Sequence, residues 1–343
     1  MRIALITDAW APQINGVART LKETVAQLRA GGHAVRVIAP HHFRTLALPG
    51  EPDIRLALGA GRPLGRLIDS FAPDVLHVAT EGPLGWTARR HARRRGLPLT
   101  SAVHTRFPDY LRARAGVPAA LTASVLRRFH RAARRVLVPT PSLLDELRSA
   151  GFGNLALWPR GVDAARFSPG PRDALEALGL PRPVFLYVGR VAAEKNLPAF
   201  LAADLPGSKV VVGDGPALPG LRARFAKAHF LGARDHCELP ALYRAADVFV
   251  FPSRTDTFGL VLLEALACGT PVAALPGCAS QDVLGTSAAG ALDDDLARAA
   301  RAALAIPRER AADYGRRFSW AACTRIFLDQ LQASVAEGAS GRS

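Results

Sequence analysis

Apolar residues in this chain come in short unbroken runs, separated by longer stretches with helical spacing. IALIT (3–7), AVRVIA (34–39), DVLHV (74–78), LPLTSAV (97–103), VLVP (136–139) and LALW (155–158) form one series. PVFLYV (183–188), KVVV (209–212), DVFVF (247–251) and VAA (272–274) form a second. Runs this short with little polar alternation predict strands buried on both faces, and therefore parallel sheets with crossover helices. The Pro- and Gly-rich Ser168–Arg172 marks the break between two similar α/β halves. The expected organisation is a first domain over 1–167, a second over 168–318, and a terminal segment 319–343. That segment is a helix followed by a small, polar, unstructured tail from Glu337. Further helices are expected near Asp173–Leu178 and, with an amphipathic pattern, over Ala119–Arg135.

Ligands of such sheets sit beyond the C-terminal ends of the strands, so the loops there carry the candidate chemistry. The fullest is FPSRTDTFGLVLLEALACGTPV (251–272), a strand end, a polar loop and an apolar helix stopped by Gly269-Thr270-Pro271. Asp256 and Thr257 are natural caps for that helix. Backbone N–H groups near Phe258, Gly259 and Leu260, together with the helix dipole, suit an anion such as a diphosphate. Asp256 precedes the helix and Glu264 lies about a turn and a half into it. Earlier in the same half, Gly189-Arg190 and Glu194-Lys195-Asn196 follow a strand and bring two cations. In the first half, Asn15-Gly16-Val17 opens a helix, either as a close approach to a ligand, which Gly16 permits for want of a side chain, or as a simple tight turn. Glu81 follows the strand at 74–78, where it faces a ligand, caps a helix or is solvated. His104 ends the next strand, as a packed residue or as a functional one.

Length and composition narrow the class. A chain of 343 residues accommodates two ordinary domains. No apolar run reaches the roughly 18 residues of a membrane span, and MRIALITDAW enters a strand directly, so no signal peptide is expected. The four cysteines show no paired metal spacing, which favours a reducing cytosol and inert thiols. The formal charge of +15 is uneven: residues 1–165 carry 24 bases and 11 acids, whereas 166–343 carry 20 and 18. Arg89–Arg135 holds 13 arginines against the single Asp109. Such a field implies an anionic membrane surface, an acidic substrate or nucleic acid as partner. The basic helix over 119–135 either lies on lipid headgroups or packs its apolar side on the sheet.

These segments together resemble the retaining, nucleotide-sugar-dependent glycosyltransferases of family 4. The matching elements are N-G-V at 15–17, H-T-R-F-P-D-Y at 104–110, R-G-V-D…F at 160–167, G-R…E-K-N at 189–196 and D-T-F-G-L…E at 256–264. The resemblance implies a GT-B fold, two Rossmann-like doubly wound domains facing across a cleft that holds the active site. It implies that Arg190 and Lys195 hold the donor's pyrophosphate and Gly16 approaches it. Asp256, an Asp where the family has Glu, and His104 would contact the donor sugar, and Glu264 the ribose. Phe258, Gly259 and Leu260 complete the donor site; Glu81, Arg106 and Tyr110 belong to the acceptor side. The resemblance also implies that no metal or cofactor is needed; the two cations would neutralise charge as the glycosidic bond breaks. The branch resembled is that of GDP-mannose-dependent α-mannosyltransferases and lipid-directed relatives. A mannosyl transfer from GDP-mannose to a membrane lipid or glycolipid is therefore expected, with a UDP-hexose (glucose, glucuronate or sulfoquinovose type) as the alternative donor. The enzyme is expected in the cytoplasm, peripheral on the membrane's inner face. A GT-B epimerase or phosphorylase and a nucleic-acid binder are rival readings. A dinucleotide oxidoreductase is disfavoured, since G-x-G-x-x-G is missing.

Overall fold

The structure, a computed structural model, describes all residues except 14, 49–50, 105–117 and 341–343. The chain divides into two compact units, Met1–Pro159 with Trp320–Ser343, and Arg160–Ser319.

In the first unit the elements run β1 (Arg2–Ile6), α1 (Gly16–Ala30), β2 (Ala34–Ile38), β3 (Arg44–Leu48), β4 (Glu51–Leu58), α2 (Gly61–Phe71), β5 (Val75–Val78) and α3 (Pro83–Arg95). They continue with β6 (Leu99–Ala102), α4 (Ala119–His130), β7 (Arg135–Val138), α5 (Pro141–Ser149) and β8 (Leu155–Leu157). Six strands form a parallel sheet in the order β2-β1-β5-β6-β7-β8, and β3 and β4 make a separate antiparallel hairpin. The order reverses between β1 and β5, the switch point of this sheet. The last helix, Trp320–Ser340, belongs to this unit. Its Phe327 is fully buried against Trp158 (ring centroids 4.7 Å apart) and His77 (4.8 Å).

The second unit runs β9 (Val184–Val188), α6 (Leu197–Ala202), β10 (Ser208–Val212), α7 (Leu218–Arg224), β11 (His229–Gly232), α8 (Leu239–Ala245) and β12 (Val248–Phe251). Then come α9 (Leu260–Ala267), β13 (Val272–Ala274), α10 (Cys278–Leu284), β14 (Gly290–Leu292), α11 (Leu296–Ala303) and α12 (Arg308–Gly315). Its parallel sheet has the order β11-β10-β9-β12-β13-β14. Both faces are covered, which is why the strands read as continuous apolar runs. Val184, Leu186 and Val188 pack in one core layer, and Phe185 and Tyr187 in the other. Phe249 and Phe251 likewise oppose Val248 and Val250. The switch point of this sheet lies between β9 and β12, where the two candidate loops emerge.

Three expectations are corrected. The helix near Asp173–Leu178 is only a 3-10 turn at Glu176–Leu178, closed by Gly179 in the left-handed region (φ +59°). The tail from Glu337 is not unstructured as far as it is described: the helix continues to Ser340 and Arg135 pairs with Glu337. The basic helix ends at His130 and does not bury a single apolar side. Phe129 is buried, whereas Leu121 (60% exposed) and Val125 (47%) face solvent.

Candidate active site

Where β9 ends, the chain turns through Gly189 and Arg190 in a geometry set by its neighbours. Gly189 N donates to Val212 O (2.9 Å) and Val191 N to Asp214 O (2.8 Å), so the loop after β9 is laced to the loop after β10. Gly213 sits in that lacing with φ +139°, and a Cβ there would fall 1.9 Å from Gly189 O. Only glycine fits. The Tyr187 hydroxyl donates to Arg190 O at 2.8 Å. Burial, then the nearby carboxylates of Asp256 and Glu194, push that phenol's pKa up, so it stays a neutral donor.

The β12 loop meets this one by direct hydrogen bonds. Asn196 Nδ2 donates to Pro252 O and Thr255 Oγ1 to Glu194 O, each at 3.3 Å. These stitches set Lys195 Nζ on Asp256 Oδ1, a bonded ion pair whose members are 23% and 20% exposed. Arg190 Nη1 lies 3.8 Å from Glu194 Oε1, with both side chains about two-fifths exposed. Behind them α9 begins at Leu260, with Gly259 as its N-cap in the left-handed region (φ +76°) and no side chain capping it. The N-cap residue is Gly259, not the expected Asp256 or Thr257; Asp256 is engaged by Lys195. Phe258 is buried in the core and anchors the turn. A helix N-terminus without a side-chain cap beside two cations can hold a diphosphate.

Glu264, in the second turn of α9, is 3% exposed. Tyr243, on α8, donates to its Oε2 at 3.0 Å, and His236 Nε2 lies 3.5 Å from its Oε1. Sequence reasoning missed both partners. Nothing in the chain joins residues 21 positions apart on different helices until β11, β12 and their helices are laid in register.

The first unit has its own cluster at the β1/β5 switch point. Asp8 follows β1 and caps α3: its Oδ2 accepts from Thr80 Oγ1 (2.9 Å) and its Oδ1 from Leu84 N (3.2 Å). Burial, outweighing those bonds, raises the pKa of Asp8. Because Asp8 takes the cap, Glu81 does not; its carboxylate turns inward, Oε1 3.2 Å from His130 Nε2. His130 Nδ1 in turn is 2.9 Å from Ser101 Oγ, and this chain of three groups is almost wholly buried. His104 follows β6, 8% exposed, edge-on to Trp158 with centroids 5.6 Å apart. Gly16 is the first residue of α1, whose cap is Asn15 Oδ1 accepting from Ala18 N at 2.9 Å. Arg106 and Tyr110 lie outside the described residues.

Much of the arginine field is structural. Arg89 donates to Phe129 O and Arg128 O, Arg127 to Ala150 O, and Arg134 to Ser334 O, at 2.6–2.9 Å. Arg95 pairs with Asp69 at 2.6 Å. Arg90, Arg93, Arg94, Arg128 and Arg131 are exposed. Among the described residues no helix is long and apolar enough to cross a membrane.

Comparison with known proteins fits this geometry. The sequence model of Glycosyltransferase Family 4 matches residues 14–166, and that of Glycosyl transferases group 1 matches 182–306. A GDP-mannose-dependent alpha-mannosyltransferase of Mycobacterium tuberculosis is 32% identical over 309 residues, 83% of this chain and 81% of that one. An alpha-monoglucosyldiacylglycerol synthase of Streptococcus pneumoniae is 27% identical, covering 80% and 71%. Among solved structures, a sucrose-phosphate synthase of Thermosynechococcus elongatus superposes with a TM-score of 0.82 over 98% of this chain and 100% of that one. At 22% identity it shows the fold alone, which is GT-B. Similarity to the mycobacterial enzyme, sustained across both halves and joined to the two matched sequence models, places this chain in glycosyltransferase family 4 as a hexosyltransferase.

Proposed function

We propose that the enzyme transfers mannose from GDP-mannose to a hydroxyl of a membrane lipid or glycolipid, with retention of the anomeric configuration. Donor choice rests on the 32% identity to an enzyme named for GDP-mannose. In the reading we favour, the diphosphate lies against the N-terminus of α9, and Arg190 and Lys195 take up its charge as the glycosidic bond breaks. Lys195 exchanges Asp256 for phosphate, which frees the Asp256 carboxylate for sugar hydroxyls. Glu264 holds the ribose. To His104, in the other unit, we assign contact with the donor sugar, and to the Gly16 turn an approach to the diphosphate. The departing phosphate oxygen takes the proton of the attacking hydroxyl.

Leu121 and Val125, exposed on α4 with Arg128, and Arg131 at its C-cap support a lipid acceptor and peripheral membrane binding. Each base near an anionic leaflet contributes about 1 kcal/mol. A UDP-hexose donor is the second reading, favoured by the similarity to a glucosyldiacylglycerol synthase. The test is consumption of GDP-, UDP- and ADP-sugars by the purified enzyme, with and without anionic vesicles carrying lipid acceptors. GDP-mannose consumption that depends on Glu264 and yields a labelled lipid supports the first reading. Turnover with a UDP-sugar alone moves the assignment to the second, and nucleic-acid binding with no turnover refutes both.

A further inference from the structure

His236 occupies a position that its environment defines tightly. It lies in the loop between β11 and α8, its ring packed on Phe167 with centroids 5.0 Å apart. Arg166 Nη1 is 2.9 Å from its Nδ1. A guanidinium has donors and no acceptor, so Nδ1 must accept and the ring proton of the neutral imidazole sits on Nε2. That Nε2 is buried, makes no hydrogen bond, and lies 3.5 Å from Glu264 Oε1, long for a bond but within a small adjustment of one. Tyr243 already holds the other oxygen at 3.0 Å. A buried N–H left short of its acceptor costs about 1–3 kcal/mol, so a small shift that brings Nε2 onto Glu264 Oε1 is favoured.

We propose that His236 is a positioning residue for Glu264. Tyr243 and His236 grip one carboxylate oxygen each, so the carboxylate cannot rotate and meets the vicinal hydroxyls of a nucleoside diphosphate's ribose in one orientation. Arg166 sets the tautomer this grip requires. Arg166 and Glu264 approach His236 on its two ring nitrogens, and Asp163 stands behind Arg166 with Oδ2 3.8 Å from its Nε. The inference rests on the ribose role proposed above for Glu264, and the experiment separates the two.

The full chain is titrated calorimetrically with GDP and UDP and with their 2′,3′-dideoxy counterparts. The ratio of dideoxy to ribo Kd reports the carboxylate–diol contact and cancels losses common to both ligands. Glu264→Gln should collapse the ratio. His236→Ala should cut it about tenfold, the scale of one charge-assisted hydrogen bond. His236→Gln, whose amide N–H reaches the Nε2 position, should restore most of it. An unchanged ratio in His236→Ala, with Glu264→Gln collapsing it, overturns the role of His236. A ratio that survives Glu264→Gln overturns the ribose assignment itself.

Discussion

Replacing Asp256 by Asn separates nucleotide binding from sugar transfer in a way that only an ion pair at the donor site predicts. Lys195 and Asp256 are bonded and only about a fifth exposed, so water screens them weakly. Without donor, Asp256 cancels the charge that Lys195 would present to a diphosphate, and it repels the diphosphate itself. Two unit charges about 6 Å apart interact by about 3 kcal/mol at an effective dielectric of about 20. Halving this for partial exposure and salt leaves about 1.5 kcal/mol, or about tenfold in affinity. Asp256→Asn should therefore bind GDP or UDP about tenfold more tightly, with the gain shrinking as salt is raised. Sugar transfer should move the other way. If Asp256 takes sugar hydroxyls as proposed, losing this charged acceptor costs about 1.5–3 kcal/mol, so kcat/KM should fall by about 10- to 100-fold. Calorimetry of the nucleotide, run beside a transfer assay, reads both. A nucleotide Kd that is unchanged or weaker in Asp256→Asn refutes the ion-pair argument, whatever happens to turnover.

Gly213→Ala should lower stability by about 2–4 kcal/mol, through a strained φ and two disturbed backbone hydrogen bonds, and weaken nucleotide binding by displacing Arg190; thermal unfolding and calorimetry check it, and wild-type values for both would sink it. The raised pKa of Asp8 makes the folded state bind its proton more tightly than the unfolded chain, where the value is 3.8. Stability should then fall as pH rises from 3.8 through the folded value. Asp8→Asn should flatten that slope in denaturant titrations taken at successive pH values, and an unaltered slope would place the proton elsewhere. Leu121→Asp with Val125→Asp should reduce co-sedimentation with anionic vesicles more than either arginine-to-glutamine change at Arg128 or Arg131 alone; equal retention by the double variant and wild type would remove α4 from the membrane-facing surface.

What could be read from the sequence follows from how far each signal reaches. β9 and β12 are written as VFLYV and VFVF because both faces are covered, so their alternating core layers were visible as unbroken runs. Lys195 and Asp256 were legible as loop chemistry, but their pairing was not, since it depends on stitches from Asn196 and Thr255. Gly259, a left-handed residue, stands as N-cap in place of the expected Asp256 or Thr257, and the helix starts without a side chain's help. Capping of α3, one of the roles open to Glu81, falls to Asp8: which acid caps it is decided across the β1/β5 pair, by partners more than 70 residues apart. On α4 helical spacing grouped Leu121 and Val125 with Phe129, yet only Phe129 meets the core.

The last helix has a consequence for how the chain is made. A ribosome releases Met1–Pro159 before it has synthesised Trp320–Ser340, and with that helix goes Phe327, the ring that completes the packing around Trp158 and His77. Until it arrives, two rings that end up wholly buried have an open side. The second unit is one uninterrupted stretch, 160–319, and can finish folding while the first still waits. Synthesis order and completion order are thus reversed between the two units. A message cut short before codon 320 would yield a finished second unit attached to an N-terminal half with an unfilled core, a natural target for quality-control proteases.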